Sequence, residues 1–147
     1  MKKTILVIAS ASLSISVLLA SACGSGAKPT AENPVQGKVI KSGPVGNLTV
    51  TLSNDTGKLK NGDQEFMVAF TDAAGKAVDV GSAAINFQMP AMGSMSAMNE
   101  GATLTTTSTP GVYKGKVKIA MAGDWRAQIS FEGSAGSGKT AIPVTAQ

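Results

Sequence analysis

Histidine is missing from all 147 residues of the chain. Its absence removes the usual general base, the Ser-His triad and most zinc, nickel and copper(II) sites. Cysteine occurs once, as Cys23, so an intrachain disulfide is excluded. Aromatic residues are few, with one Trp, one Tyr and four Phe, and no block of basic residues interrupts the chain. Nucleic-acid binding therefore has no support. The carboxylates Asp55, Asp63, Glu65, Asp72, Asp79, Glu100, Asp124 and Glu132 are scattered, with no pair spaced for acid/base partnership. An enzyme is not expected. No stretch shows a sustained helical period.

The start, MKKTILVIASASLSISVLLASAC, has the layout of a targeting segment. Lys2 and Lys3 form a positive region, and Ile5 to Leu19 an apolar run too short and too rich in Ser and Ala to span a membrane well. Ala20, Ser21 and Ala22 then lead to Cys23. This run resembles a bacterial lipobox, in which cleavage just before the cysteine exposes it to lipid, although Ala20 stands where Leu is usual. Ordinary cleavage after Ala22 and a free buried thiol are the alternatives. Residues 1–22 are thus expected to be a lipoprotein signal peptide and residues 23–34 a small, polar, flexible tether. Without Lys2 and Lys3, thirteen basic residues become eleven against nine acidic ones, a net +2.

Residues 35–147 are expected to form one all-β domain, an immunoglobulin-like β-sandwich of about seven strands. In DWRAQISFEG, Trp125, Ala127, Ile129 and Phe131 fall on one face, a period-two alternation that marks a half-buried strand. In GVYKGKVKIAM, Tyr113, Val117, Ile119 and Met121 share a face against Lys114, Lys116 and Lys118. Ala122-Gly123 between these runs predicts a hairpin turn. Leu48, Val50 and Leu52 are expected inside, with Thr49, Thr51 and Ser53 outside. Phe66, Val68 and Phe70, then Ile85, Phe87 and Met89, then Ile142 and Val144 complete the inward set.

Residues 133–140, GSAGSGKT, satisfy G-x-x-x-x-G-K-[ST] letter for letter. A phosphate loop also needs a helix behind it, whose N-terminal amides hold the anion. Only AIPVTAQ follows, and Pro143 leaves no room for a helix. The stretch reads as a Gly/Ser loop joining the last two strands, and no nucleotide is expected.

Methionine remains. Met89, Met92, Met95 and Met98 recur at every third position of MPAMGSMSAM. A thioether is a soft, neutral donor that stays unprotonated, and soft donors select copper(I) and, by the same argument, silver(I). Sulfurs sharing one ion must lie about 4 Å apart, given metal–sulfur bonds a little over 2 Å. An extended run spaces every third residue by about 9 Å, a 3₁₀ or helical turn by about 5–6 Å. The spacing therefore predicts that Met92, Met95 and Met98 share one face of a turn, with Met89 reaching back from a strand end. Met121 is a fifth candidate if its segment lies against that loop. The competing readings are core filling for Met89 and Met121, and an apolar contact surface for the exposed loop. Met67 is expected to be incidental.

The order LKNGDQEFMVAFTDAAGKAVDVGSAAINFQMPAM, then GVYKGKVKIAMAGDWRAQISFEG, resembles the YtkA-like/FixH-like domains of bacterial envelope proteins. Met89-Pro90 and Met92 match their MP-x-M segment, and Met121, Gly123 and Trp125 their M-x-G-x-W hairpin. The resemblance covers roughly residues 45–146. It implies an immunoglobulin-like sandwich related in shape to CopC-type copper carriers. It also implies association with metal efflux or oxidase assembly. Many such domains place a histidine beside the methionines, which this chain lacks. FixH proper carries a spanning helix, where this chain has a lipid-anchor motif.

The combined expectation is a lipid-anchored extracytoplasmic binding domain that handles copper(I) or silver(I) through Met89, Met92, Met95, Met98 and Met121. Cys23 would hold it to the membrane, the outer one if the cell has two, because Gly24 is not the inner-membrane retention Asp. Its protein partner would be a metal-efflux or oxidase-assembly component. The alternative is a non-metal interaction or structural lipoprotein that uses the methionine loop as a greasy contact.

Overall fold

A computed structural model describes residues 34–147. The targeting segment, Cys23 and nearly all of the expected tether fall in residues 1–33 and lie outside the described residues.

Among the described residues the chain forms eight strands: β1 (Lys38–Val45), β2 (Leu48–Asn54), β3 (Gly62–Thr71), β4 (Ser82–Met89), β5 (Met98–Thr106), β6 (Val112–Ile119), β7 (Gly123–Gly133) and β8 (Gly136–Ala146). All neighbours pair antiparallel, in the order β1-β2-β3-β6-β5-β4-β7-β8. The all-β architecture is that of a sandwich in the immunoglobulin-like class, with β2, β3 and β6 in one layer and β4, β7 and β8 in the other. β5 belongs to both layers. Its Met98–Ala102 half pairs with β4 and its Thr103–Thr106 half with β6. The opposite side closes where the Ile142 side chain packs on Gly43 and Leu59 bridges Ala146. The result is a sandwich nearly closed into a barrel.

The inward positions read from alternation are the core. Val50, Leu52, Phe66, Val68, Phe70, Ile85, Phe87, Met89, Ile119, Trp125, Ala127 and Ile129 are all buried. Each large apolar side chain among them stabilises the fold by about 1.5–3 kcal/mol. Phe66 meets Phe87 edge to face at 5.7 Å, and Phe70 meets Phe131 at 5.6 Å, which ties the two layers together. Tyr113 spans them too, its hydroxyl donating to the Gly81 carbonyl at 2.8 Å. Burial, and then the charge of Asp79, pushes its phenol pKa up.

Two local expectations need correction. Thr51 and Ser53, read as outward, are buried. The chain entering β1 lies against Ser53, whose hydroxyl donates to the Gln36 carbonyl at 2.6 Å, and Thr51 sits between Ser42 of β1 and Ala69 of β3. The segments around Ala122-Gly123 do not form a hairpin. β6 pairs with β3 and β5, β7 with β4 and β8, so residues 120–122 cross from one layer to the other. Alternation looks the same on either side of a short connection whether the strands pair or face each other across a core. The structure also adds β1, whose pattern is masked by a register shift between Val39 and Lys41 and by Gly43 and Pro44.

Lys114 and Lys116 on β6 both reach Glu65 of β3 at 2.8 Å. Hydrogen bonding to Lys114 first, and to Lys116 next, holds the Glu65 carboxyl down at about 2. The lysine stripe of β6 is therefore partly neutralised by its neighbour strand.

Residues 133–140 lie where the β7–β8 hairpin turns. Gly133 pairs with Gly136 around Ser134-Ala135, and Lys139 pairs with Ser130 inside β8. Strands flank the motif on both sides, so no helix N-terminus meets it. ATP should leave the melting temperature unchanged. A ligand that binds only the folded state raises its stability, so a nucleotide-dependent rise in thermal unfolding would show the motif to be used.

Candidate metal centre

The methionine segment is an extended ribbon, not a helical turn. β4 and β5 are the arms of one hairpin, in register from Ile85 with Ala102 to Met89 with Met98. Beyond this, Met92 and Met95 face each other at the tip. The Met92 amide donates to the Met95 carbonyl at 3.2 Å, and the Met95 amide to the Met92 carbonyl at 2.9 Å. Gly93-Ser94 makes the two-residue turn, with Gly93 at φ +57°, a conformation such tight hairpins require. Pro90 has no N–H to give to a ladder, and regular strand is interrupted at residues 90–91 and 96–97, between the two methionine pairs.

Spacing by three therefore pairs the methionines across a hairpin and does not stack them along a helical turn. Cross-strand partners share a face and lie about 4.5–5.5 Å apart at their Cα atoms. Irregular backbone at residues 90–91 and 96–97 stands between the two pairs, and burial tells them apart. Met89 is 2% exposed and Met98 is half-buried against the core. Met92 and Met95 are 51% and 39% exposed. The segment holds two pairs, one inner and one outer.

Met121 stands beside the inner pair. Its side chain is half-buried against the core, in the crossing between β6 and β7. The Trp125 indole Nε1–H donates to the Met121 carbonyl at 3.0 Å and fixes that crossing. Gly123 leaves room for Met89, whose Cε lies 2.9 Å from where a Cβ on Gly123 would sit. In the pairing of β5 with β6, Thr103 stands opposite Lys116. β5 leaves β6 beyond that pair, and Met98 is placed instead by its pairing with Met89, whose tip reaches Gly123, two residues after Met121. Met89, Met98 and Met121 thus lie at one end of the core, on three neighbouring segments. Met67, by contrast, sits in the middle of β3.

The M-x-G-x-W pattern has a physical meaning here. The tryptophan holds the methionine's backbone, and the glycine admits the tip of a second methionine. The residues are visible in the motif, but their action depends on the crossing between layers, which a hairpin reading hides. Among the described residues no three carboxylates, histidines or cysteines gather into a metal-binding group.

No curated protein matches the chain. The YtkA-like family model matches residues 44–130, from the end of β1 into β7, and so takes in both methionine pairs, Met121 and Trp125. The chain belongs to the YtkA-like family.

Proposed function

We propose that the protein binds copper(I) or silver(I) at its methionine end, as a carrier or buffer and not as a catalyst. It would be held at an extracytoplasmic membrane surface by lipid on Cys23. The observation that carries this is the gathering of five of seven methionines, Met89, Met92, Met95, Met98 and Met121, at one end of the sandwich. Thioethers select soft monovalent ions and offer little to zinc. They carry no proton, so binding should be flat between about pH 5 and 8, whereas a carboxylate ligand would weaken it toward its pKa near 4. The exposure of Met92 and Met95 supports the second reading, an apolar contact for an envelope partner.

The test is a copper(I) competition titration of the wild type and of a variant with all five methionines replaced by leucine. Leu for Met conserves volume and usually costs under about 1.5 kcal/mol per site. Wild type should hold about one ion and the variant none, with circular dichroism showing both folded. Equally poor competition by the two proteins would end the metal reading and leave the contact module.

A further inference from the structure

We infer that the methionines act in two tiers, an inner trio that retains the ion and an outer pair that captures it. This rests on the metal reading above. Met89, Met98 and Met121 come from β4, β5 and the β6–β7 crossing, and all three pack on the core. Met89 is fixed by burial, and the Met121 backbone by the Trp125 indole. Donors already ordered lose little freedom when an ion arrives, which favours tight retention. Met92 and Met95 are joined by two backbone hydrogen bonds at the tip, yet their side chains lie open to water. An exposed methionine must give up its rotamer freedom to bind, which weakens its hold on the ion. The same exposure lets it meet a donor's ligands first.

The ribbon links the tiers. Two residues on each arm, Pro90-Ala91 and Ser96-Ala97, separate the outer pair from the inner one. Capture is a ligand exchange: the incoming ion leaves a donor's sulfur or nitrogen for the outer thioethers, then passes to the inner ones. Copper(I) or silver(I) keeps its charge throughout, and no proton moves.

The full mature chain, labelled with ¹³C at the methionine methyl groups, tests this with silver(I) alone as the probe. At one equivalent the Cε signals of Met89, Met98 and Met121 should shift and those of Met92 and Met95 should not. Met98→Leu with Met121→Leu should weaken silver(I) by about tenfold or more, which is about 1.4 kcal/mol. Met92→Leu with Met95→Leu should slow capture from a thioether chelator, followed by stopped flow, about tenfold. Shifts at Met92 and Met95 in a wild type that binds silver would overturn the tiers while leaving the metal function standing. No shift at any methionine would remove both.

Discussion

Gly111→Ala should lower the melting temperature by about 15 °C, and Gly75→Ala by only about 5 °C, although both glycines sit at φ +80°. Thr109-Pro110-Gly111-Val112 is a type II turn, closed by the Val112 amide donating to the Thr109 carbonyl at 3.1 Å. Proline presets the second position and glycine supplies the left-handed third. Either alanine carries the conformational penalty of about 1–2 kcal/mol. Only at Gly111 does space also run out. A Cβ there would lie 2.6 Å from the Val78 carbonyl carbon and 2.9 Å from its nitrogen, with the oxygen nearer still. Nothing lies within 4 Å of the same position at Gly75. The obstacle is backbone, tied down by the Val78 amide to the Phe70 carbonyl and by the Phe70 amide to the Gly111 carbonyl, each 2.9 Å. Gly111→Asn separates the two costs, because asparagine tolerates the left-handed region but still carries a Cβ. Thermal unfolding followed by circular dichroism should find it nearly as damaged as Gly111→Ala. Equal melting temperatures for the Gly75 and Gly111 alanine variants would show that the contact with Val78 relaxes freely.

The core of this fold is readable because its strands alternate cleanly. Trp125, Ala127, Ile129 and Phe131 need only a period of two to be placed, and each of them is buried. Pairing is not readable from the same signal. Tyr113–Met121 and Trp125–Phe131 alternate toward one core from opposite layers, and local pattern is blind to which layer a strand joins. β5 shows the same limit, since it changes partner between Ala102 and Thr103 without a break in the strand.

The candidate site is legible in composition and hidden in conformation. Eliminating histidine and thiolate leaves methionine as the soft donor, and Met121 is marked by its motif. The every-third spacing suggests a helical turn, because convergence of four sulfurs on one ion demands it. The chain instead uses Gly93-Ser94 to fold the segment back on itself, so methionines distant in sequence become cross-strand neighbours. Met89 and Met98, at the two ends of the motif, are directly opposed. Hairpin register, set at the tip, decides which sulfurs meet.

Trp125→Ala should destabilise the domain by about 3–5 kcal/mol, the usual cost of removing a large buried aromatic side chain. Trp125 is 1% exposed and is the only tryptophan of the chain. Its emission should therefore be blue-shifted in the native protein and move to the red in one cooperative step on unfolding. Loss of the indole opens a cavity beneath the β6–β7 crossing and also frees the Met121 carbonyl. Trp125→Phe divides these effects. Phenylalanine keeps much of the buried ring but cannot donate, so the Met121 carbonyl loses its partner, a net cost of about 1 kcal/mol. If Trp125 positions Met121 as a ligand, this variant should bind silver(I) about tenfold more weakly than wild type, at a stability loss well below that of alanine. The informative reading is the pair of numbers, melting temperature and affinity, taken on the same protein. A purely structural role would lower the first and leave the second unchanged. A Trp125→Phe protein that binds silver(I) as wild type does would show that the indole supports the fold without setting the metal site.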